Sequence, residues 1–364
     1  GKTMILVFRA QFLAAAARPD QPVLVLCFNR SLADRIAAQL RERGVDERVL
    51  VRTFHSWCKD VVDSYQLALP PSRSKDDYFA RLVQTVDRAL QTGFVPGGQY
   101  SALLVDEAHD FEDDWLRMAT RLVNPTHNSL LVLYDDAQSI YQDKRRKFTF
   151  ASVGIAARGR TSVLKLNYRN TAEVLSLAMH CAQSLLRGAG APSDEDPVPL
   201  GLPASAGRRG PMPTLLEARD ARDEAEALAE RIGLACAAGA SPDDMAVLCR
   251  AKHLMRPIEQ ALMRRRLPVQ SMNAPGFRHF DWSQPAIRLL TMHSAKGLEF
   301  PCIYVAGLQA LPMHHEPMDE AARLIYVAMT RATRELVLST HGPSPIVERV
   351  RASLTAVARE FAEA

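Results

Sequence analysis

The chain has 364 residues, enough for two or three ordinary domains, with 47% hydrophobic and 24% charged residues and a formal net charge of +4. These values are typical of a globular protein and exclude a disordered tail or a fibre. The sequence has no apolar run of the ~18 residues that predict a membrane-spanning helix. The charge surplus is too small to indicate nucleic acid by itself.

Arginine dominates the basic residues, at 37 of 45. Arginine binds phosphate in a bidentate way, so this bias is compatible with phosphate handling. A high GC content of the gene explains it equally well. The six cysteines are scattered, without zinc-ligand or redox-pair spacing, which predicts buried free thiols in a reducing compartment.

Short runs rich in Val, Leu and Ile alternate with helical patterns along the chain. The runs are apolar throughout, which predicts strands buried on both faces of a parallel sheet. Predicted strands cover 22–28, 48–54, 102–106, 129–134, 162–166, 245–249, 289–292, 302–306 and 335–339. Predicted helices cover 3–17, 32–43, 171–186, 220–238, 254–266, 318–332 and 346–361. The alternation predicts an α/β fold with doubly wound sheets.

Four of the predicted strands lie before residue 160 and five lie after it, which predicts a domain boundary there. Residues 188–213 are rich in glycine and proline and predict a surface loop or linker. Residues 271–286 are predicted to be a connecting loop.

Gly1, Lys2 and Thr3 precede the first predicted helix and match the end of a phosphate-binding loop. In such a loop the lysine reaches the β- and γ-phosphates, the threonine hydroxyl binds Mg²⁺, and the helix N-terminus supplies amide donors. A solvated N-terminal cation is the alternative for so short a match, so the motif needs a partner elsewhere in the chain.

Asp106 and Glu107 supply that partner, because they follow an apolar strand directly. At this position the first carboxylate can bind Mg²⁺ and the second can accept a proton from the attacking water. An acidic turn after a buried strand is the alternative. Gln138 follows the next strand and is a candidate sensor of the γ-phosphate, with a hairpin or a helix cap as its alternative.

Polar turns also follow later strands. Arg169 lies in the segment L-N-Y-R-N, and Arg323 and Arg331 lie on a later predicted helix. An arginine can stabilise charge on a transferring phosphoryl group. Taken singly, each of the three is better explained as a surface arginine. The segment 291–300 mixes hydroxyls, a lysine and a carboxylate. Phe54 and Trp57 are candidates for stacking on unpaired bases or, equally, for anchoring the core.

Taken in order, these segments resemble the UvrD/Rep family of superfamily 1 DNA helicases. The motifs are G-K-T, N-R-S-L, T-F-H-S, V-D-E-A-H, D-D-A-Q-S-I-Y, L-N-Y-R-N, T-M-H-S-A-K-G-L-E-F and Y-V-A-M-T-R-A. The resemblance runs from Gly1 to about Ser339, and its last two motifs are long and specific. It implies two RecA-like P-loop NTPase lobes with parallel sheets flanked by helices, ATP between the lobes, and 3′-to-5′ movement on single-stranded DNA.

Site residues follow from the resemblance position by position. The implied catalytic residues are Glu107, Gln138, Arg169 and Arg331. The implied ATP-binding residues are Gly1, Lys2, Thr3, Asp106, Tyr168 and Glu299, with Thr3 and Asp106 on Mg²⁺. The implied DNA-binding residues are Phe28, Asn29, Thr53, Phe54, His55, Tyr141, His293, Ser294 and Lys296.

The resemblance also implies an organisation into lobe 1 over 1–160, lobe 2 over 161–344 and a C-terminal helix over 345–364. The accessory insertions, which assist strand separation in the family, are reduced to about 58–100 in lobe 1 and are essentially absent from lobe 2. This reduction favours translocation over robust unwinding. The implied partner is single-stranded or partly duplex DNA, and the setting is a bacterial-type cytoplasm at the nucleoid, with a role in DNA repair and no membrane partner.

The sequence departs from the family pattern at two places. The family's D-E-x-Q is D-E-A-H here, which leaves the role of His109 open. The first strand and most of the phosphate loop would precede Gly1, so we expect this chain alone to bind ATP poorly and to belong to a longer protein, with a nuclease-related domain ahead of it.

Two other functions are considered beside an ATP-driven helicase. One is a non-catalytic DNA-binding or regulatory remnant, or an inactive fragment of a larger nuclease-helicase; Glu107, Gln138, Arg169 and Arg331 oppose it, since a decayed ATPase does not need them. The other is a different P-loop enzyme, such as a GTPase or a small-molecule kinase. The chain has no N-K-x-D guanine signature, and such an enzyme leaves the two late motifs unexplained.

Overall fold

The computed structural model describes residues 2–134, 149–162, 164, 166–186 and 204–363. The chain divides into two compact units, Gly1–Val163 and Leu164–Ala364, and the predicted boundary at residue 160 lies close to this division. Among the described residues, no helix is long and apolar enough to cross a membrane.

The first unit contains a parallel four-stranded sheet in the order β2-β1-β3-β4. Its strands are β1 (Val23–Cys27), β2 (Val49–Thr53), β3 (Ala102–Val105) and β4 (Ser129–Val132). The central strands β1 and β3 are buried at every position, which explains their continuous apolar sequences. Because the strands are parallel, the turns that follow them lie at one edge of the sheet.

Helices pack around this sheet. They are α1 (Lys2–Ala14), α2 (Arg30–Glu42), α3 (Phe54–Ser64), α4 (Lys75–Gln91) and α5 (Asp113–Thr120). The side chains of Asn29 and Thr53 cap α2 and α3, accepting hydrogen bonds from the backbone N–H groups of Leu32 at 2.9 Å and Ser56 at 3.2 Å. Caps of this kind contribute about 1 kcal/mol each.

The second unit contains a parallel six-stranded sheet in the order β7-β12-β11-β8-β10-β9, and a separate pair of two-residue strands, β5 and β6. The strands are β5 (Leu166–Asn167), β6 (Ala204–Ser205), β7 (Thr214–Glu217), β8 (Met245–Cys249), β9 (Val269–Ser271), β10 (Ile287–Thr291), β11 (Phe300–Ala306) and β12 (Ala332–Thr340). β8 is buried along its whole length, as expected for a central parallel strand.

Helices of the second unit are α6 (Ala172–Leu186), α7 (Ala221–Ala237), α8 (Arg256–Arg264), α9 (Met318–Met329) and α10 (Pro345–Ala362). The C-terminal helix α10 packs on α6, where Arg349 donates to the main-chain oxygen of Cys181 at 3.3 Å. The helix predicted over 345–364 therefore belongs to the core of the second unit.

The predicted class, α/β with parallel sheets flanked by helices, is confirmed. The prediction missed α3, α4 and α5, which together with β1 and β3 surround the core of the first unit. It also missed β6, β7 and β9, which are short and lie at sheet edges or outside the main sheet. The six cysteines are free thiols, and all except the partly exposed Cys236 are buried, as predicted.

Candidate functional site

The first cluster of predicted site residues lies at the carboxyl edge of the first sheet. Thr3, in the first turn of α1, donates from Oγ1 to Oδ2 of Asp106 at 3.0 Å. Lys2 Nζ lies 3.5 Å from the main-chain oxygen of Tyr134, which follows β4. The fold thus brings together the three residues that the sequence assigned to phosphate and metal: Lys2, Thr3 and Asp106.

Asp106 is almost completely buried, at 1% exposure. Burial and then the adjacent charge of Glu107 raise the pKa of Asp106 to about 7; the hydrogen bonds from the Thr3 hydroxyl and the Glu107 backbone N–H and the charge of Lys2 act in the opposite direction. A buried carboxylate beside a hydroxyl is an oxygen-only donor set, which is what Mg²⁺ prefers. A bound cation would offset the cost of ionising this carboxyl group, so the residues fit the metal that the sequence predicts.

Glu107 adopts a left-handed backbone conformation, with φ at 53°. A non-glycine residue there costs of order 1–3 kcal/mol, and such strain clusters at functional sites. The Glu107 side chain is 4% exposed, and within the described residues its Oε2 accepts no hydrogen bond. Nδ1 of His109 lies 3.4 Å from Oε2 of Glu107, and Nε2 of His109 lies 3.8 Å from Oδ2 of Asp110.

His109 is therefore a buried neighbour of the proposed base, at 0% exposure. The sequence left its role open, and the structure places it between the carboxyl groups of Glu107 and Asp110.

The second cluster lies in the second unit, in the turn after β5. Arg169 forms an ion pair with Glu299, and both side chains are largely but not fully buried, at 17% and 28% exposure. Tyr168 is 65% exposed and leaves its ring available for stacking. The structure thus joins Arg169 to Glu299, two residues that the sequence assigned to ATP from distant motifs.

Arg331 departs from its predicted role as an arginine finger. Its side chain is buried at 1% exposure and bonds to the main chain of its own unit, from Nε to Val327 O at 3.0 Å and from Nη1 to Leu298 O at 3.5 Å. The guanidinium is directed at main-chain oxygens of its own unit. In this structure Arg331 is a structural anchor.

Among the predicted DNA contacts of the first unit, Phe28 is 38% exposed at the end of β1, while Asn29 and Thr53 serve as helix caps. His55 is half-buried, with its ring centroid 4.6 Å from that of Phe79. Burial lowers the pKa of His55.

Phe54 is the second correction. The ring is 1% exposed and stacks on Trp115 with centroids 4.8 Å apart and planes 12° apart. The apolar core of the first unit covers the ring, so Phe54 is a core anchor and has no free face for a base. Trp57 is buried as well.

In the second unit, the turn after β10 carries His293, Ser294 and Lys296. Thr291 Oγ1 donates to Ser294 Oγ at 2.8 Å and accepts from the Ser294 backbone N–H at 3.2 Å, which closes the turn. Although His293 is accessible to solvent, the protein around its ring displaces part of the water, and this desolvation, followed by the positive charges of Arg250 and Lys296, lowers the pKa of His293. Three predicted site residues, Gly1, Gln138 and Tyr141, lie outside the described residues.

Sequence reasoning missed two polar residues that flank the Arg169 turn, Asn170 and Arg208. Asn170 is buried at 1% exposure, and Arg208 donates to the main-chain oxygens of Tyr168 and Arg169. The spacing of Asn167 and Asn170 after a strand is a recognisable turn signal; Arg208 had no signal in the sequence.

Residues 162–281 and 276–342 match the model of the UvrD-like helicase C-terminal domain. The matched residues include both the Arg169 turn and Arg331. The chain belongs to the UvrD-like helicase family. The match covers most of the second unit, and it takes in Glu299 and the turn after β10.

Curated relatives of this UvrD-like chain include the ATP-dependent DNA helicase PcrA of Bacillus subtilis, 46% identical over 61 residues, or 15% of this chain and 8% of the relative. The ATP-dependent DNA helicase Rep of Escherichia coli is 39% identical over 59 residues, 15% of this chain and 9% of the relative. Each match therefore spans less than a tenth of the relative's length.

One solved structure, the C-terminal domain of a possible DNA helicase from a Lactobacillus, is 17% identical and covers 52% of this chain and 96% of its own, with a TM-score of 0.37. A likeness this low does not inform the fold.

Proposed function

We propose that this UvrD-like chain is part of an ATP-dependent DNA helicase or translocase that moves 3′ to 5′ along single-stranded DNA. The observation that carries the proposal is the 3.0 Å hydrogen bond between Thr3 and the buried carboxyl group of Asp106, directly beside Glu107. Family membership supports the same activity. A nuclease domain ahead of this chain and a role in DNA repair stay predictions.

The first unit supplies the residues that bind phosphate and activate water. Thr3 and Asp106 would hold Mg²⁺, which neutralises charge on the phosphate oxygens. Lys2 adds a cation at the N-terminus of α1, where the helix dipole also favours an anion. Glu107, buried beside Asp106, accepts the proton of the attacking water.

The second unit supplies an arginine and a stacking surface. Arg169 carries a fixed positive charge that can stabilise charge on the transferring phosphoryl group. Glu299 holds that guanidinium in place through their ion pair, and the exposed ring of Tyr168 can stack on the adenine.

We assign single-stranded DNA to residues that follow strands and are exposed or partly exposed. Phe28 offers an aromatic face for a base. His293 and Lys296, in the turn after β10, can contact phosphates. This assignment leaves Phe54 out, since its ring is in the core.

ATP hydrolysis by the full-length protein, with and without single-stranded DNA, tests the proposal. We expect DNA to raise the rate in the wild type and Glu107→Gln to lower kcat by at least about 100-fold, since general-base catalysis is worth about 10²–10⁴. Glu112→Gln is the matched control, because Glu112 is exposed and lies outside the cluster. Equal rates for wild type and Glu107→Gln would refute the proposal.

The alternatives give different outcomes in the same experiment. A non-catalytic remnant binds single-stranded DNA but hydrolyses no ATP, with or without Glu107. A GTPase or small-molecule kinase turns over nucleotide at a rate that DNA does not change.

A further inference from the structure

Asn170 joins two distant turns of the second unit. Its side chain is buried at 1% exposure, and its Nδ2 donates to the main-chain oxygens of Thr330 at 3.0 Å and Ala332 at 2.6 Å. These two residues flank Arg331. One amide group therefore connects the turn that carries Arg169 to the end of α9.

A second asparagine fixes the orientation of this amide. Asn167 donates from Nδ2 to Oδ1 of Asn170 at 2.8 Å. Its own Oδ1 accepts from the backbone N–H groups of Arg169 at 2.9 Å and Asn170 at 3.0 Å. Because Oδ1 of Asn170 accepts a hydrogen bond here, its Nδ2 must point at the two carbonyl groups.

Arg331 continues the connection toward Glu299. Its Nη1 donates to Leu298 O at 3.5 Å, and its main-chain oxygen accepts from the Phe300 backbone N–H at 3.1 Å. Leu298 and Phe300 are the two neighbours of Glu299. The main chain that carries Glu299 is thus held on both sides by Arg331.

The Arg169–Glu299 ion pair closes these contacts into a ring. The ring runs from Asn170 to the residues beside Arg331, from Arg331 to the residues beside Glu299, and from Glu299 to Arg169, which adjoins Asn170. Every link except the ion pair includes a main-chain group, so the ring fixes backbone positions as well as side chains.

We propose that Asn170 is a positioning residue that sets where the Arg169–Glu299 pair lies, through the residues that flank Arg331. The inference rests on the proposed function only for its effect on ATP hydrolysis; the ring itself is a property of the second unit. Arg331 is the buried centre of the ring, which accounts for its lack of exposure.

Asn170→Ser is the variant that tests the proposal, because serine cannot span both carbonyl groups and buries no charge. Asn273→Ser is the matched control, since Asn273 belongs to the same unit and lies outside the ring. Thermal unfolding of both variants shows first that each one folds.

Hydrogen exchange of the chain provides a readout that does not depend on ATP. Breaking the ring at Asn170 should speed exchange at least about tenfold for the backbone N–H of Phe300, which is far from the substituted residue in sequence. Asn273→Ser should leave that amide unchanged. Unchanged protection of Phe300 in Asn170→Ser overturns the proposal, whether or not the protein hydrolyses ATP.

A double-mutant cycle with Arg169→Ala in the full-length protein tests the effect on the reaction. If Asn170 acts through Arg169, Asn170→Ser alone lowers kcat about tenfold. The same substitution then has no further effect on kcat in a protein that already carries Arg169→Ala. Effects that multiply would mean that Asn170 acts elsewhere and would overturn the positioning role. Absence of ATP hydrolysis in the wild type would refute the proposed function. The exchange rate at Phe300 would then still test whether Asn170 holds the ring together.

Discussion

Thr3 donates a 3.0 Å hydrogen bond to Asp106, across 103 positions of sequence. This bond joins the first turn of α1 to the residue that follows β3. A hydroxyl group from one motif and a buried carboxyl group from another are therefore in direct contact. A carboxyl group with a raised pKa beside a hydroxyl is better suited to a cation than to solvent.

Removal of the Thr3 hydroxyl should therefore weaken the response to Mg²⁺. We expect Thr3→Val to lower ATP hydrolysis by the full-length protein at least about tenfold, since the metal loses an oxygen ligand, while Thr3→Ser stays within about threefold of wild type. Titration of the rate with Mg²⁺ measures this. A wild-type Mg²⁺ dependence in Thr3→Val would separate Thr3 from the metal.

Phe28 and Phe54 should behave in opposite ways, because one ring is exposed and the other is in the core. Phe54→Ala should cost about 3–5 kcal/mol of stability, as expected for a buried aromatic residue. Phe28→Ala should leave stability unchanged and weaken binding of single-stranded DNA by about 1–3 kcal/mol, the value of one stacked base. Denaturant titration and fluorescence anisotropy measure the two effects; loss of stability in Phe28→Ala would contradict the assignment.

The Phe54 result also shows what the sequence could predict. The aromatic residue of the motif T-F-H-S had two equal interpretations in the sequence, since only packing against Trp115 distinguishes a core ring from a stacking ring. The continuous apolar strands predicted the parallel sheets because burial on both faces leaves a local signature.

The burial of Arg331 could not be predicted from the sequence. Its motif predicts an arginine that stabilises charge on a phosphoryl group, whereas its contacts in the structure include residues that are distant in sequence. Short edge strands such as β7 and β9 were missed for the same reason: their pairing comes from the sheet and not from a local pattern. Contacts such as those of Asn170 and Arg208 exist only once the fold brings their partners together.

His55 should make the first unit sensitive to acid. Burial disfavours the charged imidazole and lowers its pKa from the ordinary value of 6.5, so the unfolded chain binds the proton more tightly. The stability associated with neutral His55 is therefore present above pH 6.5 and is lost as pH falls through the lowered pKa. Between pH 7.5 and 5, wild type should lose more stability than His55→Gln in thermal unfolding; identical losses would count against this interpretation.

Arg331 and Arg169 should separate stability from turnover. Arg331→Ala removes a buried side chain that donates to the main-chain oxygens of Val327 and Leu298, and it should destabilise the second unit by about 2–4 kcal/mol. Arg169→Ala removes a partly exposed side chain, so it should change stability by less than about 1 kcal/mol and lower kcat strongly. Calorimetry with steady-state kinetics tests both; a stable Arg331→Ala with a large loss of kcat would restore Arg331 as an arginine finger.

Movement along single-stranded DNA can be measured by displacement of streptavidin from end-labelled DNA by the full-length protein. We predict displacement from a 5′ biotin in the presence of ATP and Mg²⁺, little displacement from a 3′ biotin, and none with Lys2→Ala. ATP hydrolysis without displacement at either end, or displacement from the 3′ biotin alone, would contradict this prediction.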